Sequence, residues 1–300
     1  ELRYCKSCVY PAIAVNLRLD DDQICSACRS RNKFNVLNDE FWKKKRERFK
    51  TIIEETLKRN KSNYDCLIPV SGGKDSYYQT HIICKEFNLK PLLMTYDGNN
   101  WLPEGIYNRN RMKHLFNADH VMWSPSVEVM KKLNRIAFKK MGDMNWQNHC
   151  GIATAPIITA VQFKIPLLFW GETEWDIAGM YQPDDYVEFS ARARHEHANR
   201  GFEWQDFIND PVDKLTEKDL IWAKYPSDIE ILKVGIRGLY IGNFFKWDAR
   251  KHVEIVKKNS KTFSKIDVRA ETSKVQKART FYARNGQYFE RLRELQTQKV

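Results

Sequence analysis

The sequence predicts an α/β fold with a mostly parallel sheet. Apolar runs of strand length alternate with segments that have helical periodicity, as in right-handed βαβ units. The four clearest runs lie at residues 65–71, 90–97, 120–123 and 165–171. The first run leads directly into a glycine turn, Ser71-Gly72-Gly73, in front of a predicted helix. Because parallel sheets bind ligands beyond the carboxyl ends of their strands, we expect functional residues directly after these strands.

The helices are predicted from apolar spacing and from terminal residues. Residues 39–60 form a charged helix whose apolar face carries Phe41, Phe49, Ile52, Ile53 and Leu57. Pro103 suits the first turn of a helix over 103–116, and Ser126 suits the N-cap of one ending at Met141. Further helices are expected at 75–87, 151–163 and 273–298. The run IEILK at 229–233 reads as one more strand.

The charge of the chain is positive and uneven. The 300 residues carry a formal net charge of +12. Between Lys251 and Val300 there are 13 Lys and Arg against 5 Asp and Glu. A basic segment of this kind fits nucleic acid, an acidic partner or a solvated helix face. No apolar run is long enough to span a membrane and no signal-peptide pattern begins the chain, so we expect a cytoplasmic protein.

Four cysteines near the start have the spacing of a metal site. Cys5, Cys8, Cys25 and Cys28 form C-x2-C-x16-C-x2-C, which can close a tetrahedral thiolate site. We expect structural Zn²⁺; two disulfides or an iron–sulfur cluster are the alternatives. Residues 1–33, here called the cysteine module, are too few for a core of their own, so the metal would stabilise their fold.

The most informative motif is Ser71-Gly72-Gly73-Lys74-Asp75-Ser76, here called the glycine loop. Adjacent glycines allow a sharp turn that directs backbone N–H groups at a phosphate in front of the helix N-terminus. Lys74 adds a cation, and Asp75 adds a carboxylate that suits Mg²⁺. The Walker A pattern is absent, since Asp75 follows Lys74 where Ser or Thr is required. The motif resembles that of the PP-loop ATP pyrophosphatases, which implies ATP cleavage between its α- and β-phosphates.

Polar residues follow two other predicted strands. By the same resemblance, Tyr96 and Asp97 border the adenosine, although Asp97-Gly98 also reads as an ordinary turn. Gly171 opens the second stretch, where Glu172, Glu174 and Asp176 offer carboxylate oxygens for Mg²⁺. An ordinary charged loop is the alternative interpretation. We therefore name Lys74, Asp75, Glu172 and Asp176 as catalytic candidates.

Three more stretches hold candidate substrate-binding side chains. They are Asn148 and His149 before a small-residue helix, Arg192 and Arg194 in a polar run, and Tyr240 and Asn243 in GLYIGNFFKWDARKH. A structural histidine, an exposed helix and a glycine-kinked turn remain open as the alternative interpretations. Cys150 has no C-x-x-C partner beside it, which argues against a sulfur-carrying cysteine pair.

The paired cysteine knuckles, SGGKDS, GETEWD and GLYIGNFFKWD occur in the order seen in the N-acetyl sugar amidotransferases of bacterial surface-polysaccharide biosynthesis, which the chain resembles over nearly its full length. This resemblance implies a PP-loop ATP pyrophosphatase core of the adenine nucleotide alpha hydrolase-like kind, with a zinc-ribbon knuckle before it and a helical extension after it. The expected divisions are 1–33, a connecting helix at 34–61, the core at 62–240 and the extension at 241–300.

The family resemblance also implies a reaction and partners. An acetamido group on a sugar, often nucleotide-linked, becomes an acetamidino group at the expense of ATP and Mg²⁺. Ammonia would come from a separate glutaminase subunit, in some systems with a cyclase-like subunit. Two alternatives stay open. One is a PP-loop enzyme that modifies tRNA, as a thiolase or lysidine-type ligase. The other is a zinc-ribbon nucleic-acid-binding protein with an inactive nucleotide fold.

Overall fold

A computed structural model describes residues 2–13, 17–99, 101–171 and 188–259. The strands are β1 (Cys66–Pro69), β2 (Pro91–Tyr96), β3 (Asp119–Trp123), β4 (Leu167–Trp170) and β5 (Arg237–Tyr240). The α-helices are α1 (Ser26–Asn35), α2 (Asp39–Leu57), α3 (Lys74–His81), α4 (Pro103–Phe116), α5 (Val127–Met141), α6 (Trp146–Gln162), α7 (Ala191–Ala193), α8 (Asp228–Val234) and α9 (Ala249–Asn259). Wider π turns at Ile82–Glu86 and Arg194–Ala198 extend α3 and α7, and tighter 3-10 turns lie at Trp204–Phe207, Glu217–Ala223 and Ile241–Asn243.

The five strands form one parallel sheet in the order β3-β2-β1-β4-β5. The predicted parallel α/β class is therefore confirmed. The chain runs from β1 outward to β3 and then returns to the other side of β1 to form β4 and β5. The strand order thus reverses between β1 and β4, and open α/β sheets bind ligands at such a switch point. The glycine loop follows β1, so it lies at this position.

Side chains alternate across the sheet and form two cores. Leu67, Met94, Tyr96, Leu168 and Trp170 face α5 and α6. The opposite face packs against α2, α3, α4 and α9 through Ile68, Leu93, Phe169, Leu239 and Phe244. Both faces are covered, which is why the strands read as continuous apolar runs rather than alternating ones.

The prediction of a strand at 229–233 is wrong, because these residues lie in α8. Ser227 and Glu230 form a reciprocal capping box at its start, and Gly235 ends it with φ of 74°. Ile229 and Leu232 are exposed in the helix. The fifth strand begins instead at Arg237.

The segment after β5 packs back onto the core. Residues Ile241–Asn243 turn the chain, and α9 then lies against α3, which begins inside the glycine loop. The predicted helix at 273–298 and the GETEWD carboxylates lie outside the described residues. No helix in the described ranges is both long and apolar enough to cross a membrane.

His120 of β3 gives the fold a specific sensitivity to acid. Its Nε2 lies 2.9 Å from Thr95 Oγ1 in the sheet, and burial, with Arg109 and Lys113 nearby, lowers its pKa from 6.5 to about 4. As the pH falls below 6.5 the unfolded chain binds a proton before the folded chain does, so stability declines between pH 6.5 and 4.

We expect His120→Asn to reduce this decline. Between about pH 7.5 and about pH 5 the variant should lose less unfolding free energy than the wild type, by on the order of 1 kcal/mol. Urea unfolding at the two pH values measures the difference. His114→Asn is the control, because His114 is exposed on α4. Equal declines in wild type and His120→Asn would contradict the assignment.

Candidate functional site

The glycine loop turns the chain from β1 into α3. Ser76 Oγ accepts from the Ser71 N–H at 2.9 Å and lies 2.9 Å from Ser71 Oγ, so the two hydroxyls tie the loop's ends together. Gly73 is the N-cap of α3 and supplies no side-chain cap. The helix dipole favours an anion in front of this end of α3.

Gly72 is required by its conformation and by its surroundings. Its φ is +77°, in the left-handed region. A Cβ added here would lie 2.6 Å from the Arg109 backbone N and 2.9 Å from its Cα, closer than real contacts allow. The turn thus packs directly against the backbone of α4, and only glycine fits at position 72.

Gly72→Ala should therefore destabilise the fold. Gly142→Ala is the matched control, since Gly142 has φ of +71° with nothing within 4 Å of an added Cβ. In the Gly142→Ala control, the only expected loss of stability comes from the left-handed backbone conformation, at about 1 kcal/mol. Gly72→Ala adds a backbone clash, for a total of roughly 3 kcal/mol or more. Urea unfolding measures the loss of stability in each variant; equal losses in the two variants would refute the packing argument.

Asp75 lies between the side chains of Lys74 and His252. Lys74 Nζ is 2.8 Å from Asp75 Oδ2, and His252 Nδ1 is 2.8 Å from Asp75 Oδ1. Burial raises the pKa of Asp75, but the hydrogen bonds from His252 and Lys74 outweigh burial and lower it overall. Asp75 is therefore a carboxylate at neutral pH, which is the state that a Mg²⁺ ligand needs.

A cleft of about 460 Å³ opens beside the glycine loop. Ser71, Asp75 and Ser76 form one side, and the ends of β2 and β4 form its floor. The other side is the start of α6. Aromatic and amide groups supply much of the remaining wall, namely Tyr96, Trp101, Trp170, Asn145 and Asn148. This volume suits one nucleotide-sized ligand.

Tyr96 and Gly171 shape the floor. Tyr96 donates its hydroxyl to Gln147 Oε1 at 2.8 Å, and burial raises the pKa of this phenol. Its ring lies so close to Gly151 that an added Cβ would be 2.2 Å away. At Gly171 an added Cβ would lie 2.8 Å from the Gln79 amide, whose Nε2 donates to the Pro69 carbonyl at 2.7 Å.

Asp97 organises the loop after β2 rather than facing the cleft with Tyr96. Its Oδ1 accepts from Trp101 Nε1 at 2.6 Å and from the Asn99 N–H at 2.8 Å. These bonds place Trp101 on the cleft wall. These local hydrogen bonds fit the alternative interpretation of this stretch, in which Asp97 belongs to an ordinary turn.

Arg109 lies next to the cleft wall, against Trp101 and Asp97, and its position is not predicted from the sequence. It is 5% exposed, its guanidinium lies 4.9 Å from the Trp101 ring, and Nη1 is 4.0 Å from Asp97 Oδ2. Within the described part of the chain, Nε and Nη1 have no hydrogen-bond acceptor. A buried guanidinium with unmet donors can take up an anionic oxygen. Nothing local in α4 distinguishes Arg109 from Arg111, so only the fold identifies it.

The start of α6 brings Asn148 to the cleft and places His149 beside it. Asn148 Nδ2 donates to Asn145 Oδ1, and Asn145 Nδ2 lies 3.3 Å from His149 Nε2. Burial lowers the pKa of His149, and the nearby positive charge of Arg200 lowers it further. Cys150 is fully buried, and burial raises the pKa of its thiol to about 12. It is therefore an unreactive thiol at neutral pH.

The other substrate candidates are not among the described cleft-lining residues. Arg194 is buried and makes a two-bond ion pair with Glu203 at 3.0 and 2.8 Å. Tyr240 and Asn243 are buried at and after the end of β5. Glu172 and Asp176 lie outside the described residues, as does the side chain of Arg192.

The four knuckle cysteines form a compact cluster. All four Sγ atoms lie within 4.8 Å of one another, with Cys5 to Cys28 at 4.0 Å and Cys8 to Cys25 at 3.6 Å. Four bonds of about 2.3 Å to one tetrahedral ion place sulfurs about 3.8 Å apart. The spacing thus fits a single ion. The sulfurs are too far apart for disulfide bonds.

The comparisons with known proteins give fold-level similarities only. No protein-family model and no curated protein matches the sequence. Among solved structures, NMN synthetase from Francisella tularensis is similar at TM-score 0.37 and 11% identity, covering 64% of this chain and 90% of that one. NH3-dependent NAD synthetase from Campylobacter jejuni gives 0.36 and 10%, with 64% and 91% covered. The U34-tRNA thiolase NcsA from Methanococcus maripaludis gives 0.34 and 14%, with 77% and 79% covered. No conclusion about this chain rests on similarities at this level.

Proposed function

We propose that this chain is an ATP-dependent, AMP-forming amidotransferase of the PP-loop type that converts an N-acetyl group on a sugar into an acetamidino group. The observation that carries the proposal is the glycine loop at the switch point of a parallel sheet, opening onto a cleft of about 460 Å³. The N-terminus of α3, the ammonium of Lys74 and the carboxylate of Asp75 lie together there. This combination suits a nucleoside triphosphate with its Mg²⁺.

The residues of the loop would divide the work on ATP. Backbone N–H groups at the start of α3, with the Ser71 and Ser76 hydroxyls, would hold the β- and γ-phosphates. The ammonium of Lys74 would move from Asp75 Oδ2 to these phosphates. Asp75 Oδ2 would then be free to bind Mg²⁺. Bound Mg²⁺ would neutralise the negative charge that develops on the departing pyrophosphate. Glu172 and Asp176, which follow Gly171 in the sequence, are proposed as additional carboxylates of this site.

The cleft wall would position the acceptor. The aromatic faces of Tyr96 and Trp101 suit the adenine or the sugar ring, and Asn148 can hydrogen-bond an acetamido group. The acetamido oxygen attacks the α-phosphorus and displaces pyrophosphate. Ammonia then adds to the activated carbon, AMP departs with the former carbonyl oxygen, and a proton is lost to give the amidine. Positioning supplies most of the rate enhancement, and no protein nucleophile is needed.

The nucleophile that displaces AMP is proposed to be nitrogen rather than sulfur, because Cys150 is unsuited to carry sulfur. It is the cysteine nearest the start of α6, and its buried thiol has a pKa of about 12. Cys84 is also unsuited, since burial raises its pKa to about 11. We assign ammonia to a partner glutaminase, and propose that a single Zn²⁺ on Cys5, Cys8, Cys25 and Cys28 holds the cysteine module. The acetamido sugar as acceptor rests on the family resemblance.

The test is product analysis. The protein is incubated with ATP, Mg²⁺, ammonium and a panel of diacetamido sugars and their nucleotide-linked forms. AMP and pyrophosphate are followed by chromatography and the sugar by mass spectrometry. We expect AMP only when an N-acetyl sugar is present, and a product whose mass reflects exchange of oxygen for NH. AMP formed only with tRNA would support the RNA-modifying alternative, and absence of AMP with every acceptor would support the binding protein.

A further inference from the structure

We propose that His252 is a positioning residue that fixes the carboxylate of Asp75 for Mg²⁺, so that α9 completes the glycine loop. This rests on the function proposed above and adds a residue that the motif does not contain. The Nδ1–H of His252 donates to Asp75 Oδ1 at 2.8 Å across a sequence separation of 177 residues. No other described contact joins the loop's carboxylate to a remote segment of the chain.

The imidazole is held in place by its neighbours. His252 is 1% exposed, and its ring stacks on Tyr78 with centroids 3.8 Å apart and an interplanar angle of 14°. Trp247 meets the same ring edge-on at 4.5 Å. Tyr78 lies on α3, one turn beyond Asp75, so the stacking and the hydrogen bond fix the imidazole against a single helix. Such a ring cannot turn away from Asp75 without losing both contacts.

One oxygen of the Asp75 carboxylate would become available to a metal if Lys74 moved. Asp75 Oδ1 is used by His252, and Oδ2 by Lys74 at 2.8 Å. Lys74 has a flexible stem and can move to a phosphate, whereas His252 is packed and stays. The carboxylate then presents Oδ2 in a fixed direction. Hydrogen bonds of this kind to metal ligands typically change metal affinity or activity by about 10–100-fold when removed.

The same arrangement gives the run at 238–252 a role. Buried Phe244 and Phe245 pack this run on the core and lead into α9. Trp247 and His252 then reach α3 from that anchored segment. Trp247 and His252 thus pack against the helix that begins in the glycine loop, and no described residue of this run lines the cleft.

Two substitutions separate hydrogen bonding from packing. His252→Asn places its side-chain Nδ2 where imidazole Nδ1 lies and keeps the bond without the stacked ring. His252→Phe keeps a stacked ring and loses the bond. His114→Phe is the matched control on exposed α4. Mg²⁺-dependent binding of α,β-methylene-ATP is measured by calorimetry on the full chain, together with zinc content, melting temperature and AMP formation.

We expect His252→Phe to raise the Mg²⁺ concentration needed for half-maximal nucleotide binding by about 10–100-fold. His252→Asn should stay within about threefold of wild type, and His114→Phe should match it. Wild-type Mg²⁺ dependence in His252→Phe would overturn the proposal, as would equal losses in the Phe and Asn variants. Absence of Mg²⁺-dependent binding in the wild type would also overturn it. Failure of the proposed function looks different: the wild type binds Mg²⁺ and nucleotide, yet forms no AMP with any acetamido sugar.

Discussion

Replacing Asp75 by asparagine is expected to reduce AMP formation by roughly 100- to 1,000-fold. The asparagine side chain is almost the same size as aspartate and its oxygen could still accept from His252, so the loop should keep its shape. It would lack the negative charge that Mg²⁺ requires. AMP release in the presence of ATP, Mg²⁺, ammonium and an accepted sugar measures the effect. Bound zinc should be unchanged, because the cysteine module does not include this residue.

The control for Asp75→Asn is Asp228→Asn. Asp228 also lies in the first turn of a helix, so its loss removes a comparable favourable interaction with a helix dipole. Asp228→Asn should leave AMP formation unchanged and lower stability slightly. If Asp75→Asn retained wild-type turnover, Asp75 would be removed from the metal site and the division of work proposed for the loop would fail.

The glycine loop could be predicted because its determinants are local. An apolar strand, two adjacent glycines and a helix start occur within a dozen residues, and the structure places them at the switch point of the sheet. The alternation of strands and helices likewise predicted the parallel sheet. The error at 229–233 arose from reading Ile229, Ile231 and Leu232 as a buried strand. The capping box and Gly235 around them were the stronger signals.

His252 and Arg109 could not be predicted, since their contacts to the site depend on long-range packing. Arg109 touches Gly72 only because α4 crosses in front of the loop. His252 meets Asp75 only because α9 returns to α3 after β5. The composition of GLYIGNFFKWDARKH is unusual, and it fits either a substrate loop that contains Tyr240 and Asn243 or a glycine-kinked turn packed on the sheet. In the structure both are buried, and the residues of this run that contact the glycine loop are further along the chain.

Loss of metal should unfold the cysteine module and leave the sheet intact. The described module has a very small core, with only Cys5, Leu17 and Cys25 buried together. Binding of a structural Zn²⁺ is worth about 10–16 kcal/mol in small modules of this kind, far more than this core can supply. Cys25→Ser should therefore lose zinc and make the cysteine module sensitive to protease. Metal analysis and limited proteolysis with mass mapping measure this.

Cys84→Ala is the matched control, because Cys84 is a free, partly buried cysteine on the core that is not among the four knuckle thiols. It should keep one zinc per chain and a protected module. In Cys25→Ser the core should still melt cooperatively, since its two apolar clusters exclude the module's residues. A protected module without metal would show that packing alone folds it. Iron together with acid-labile sulfide in place of zinc would overturn the single-ion assignment that the sulfur spacing supports.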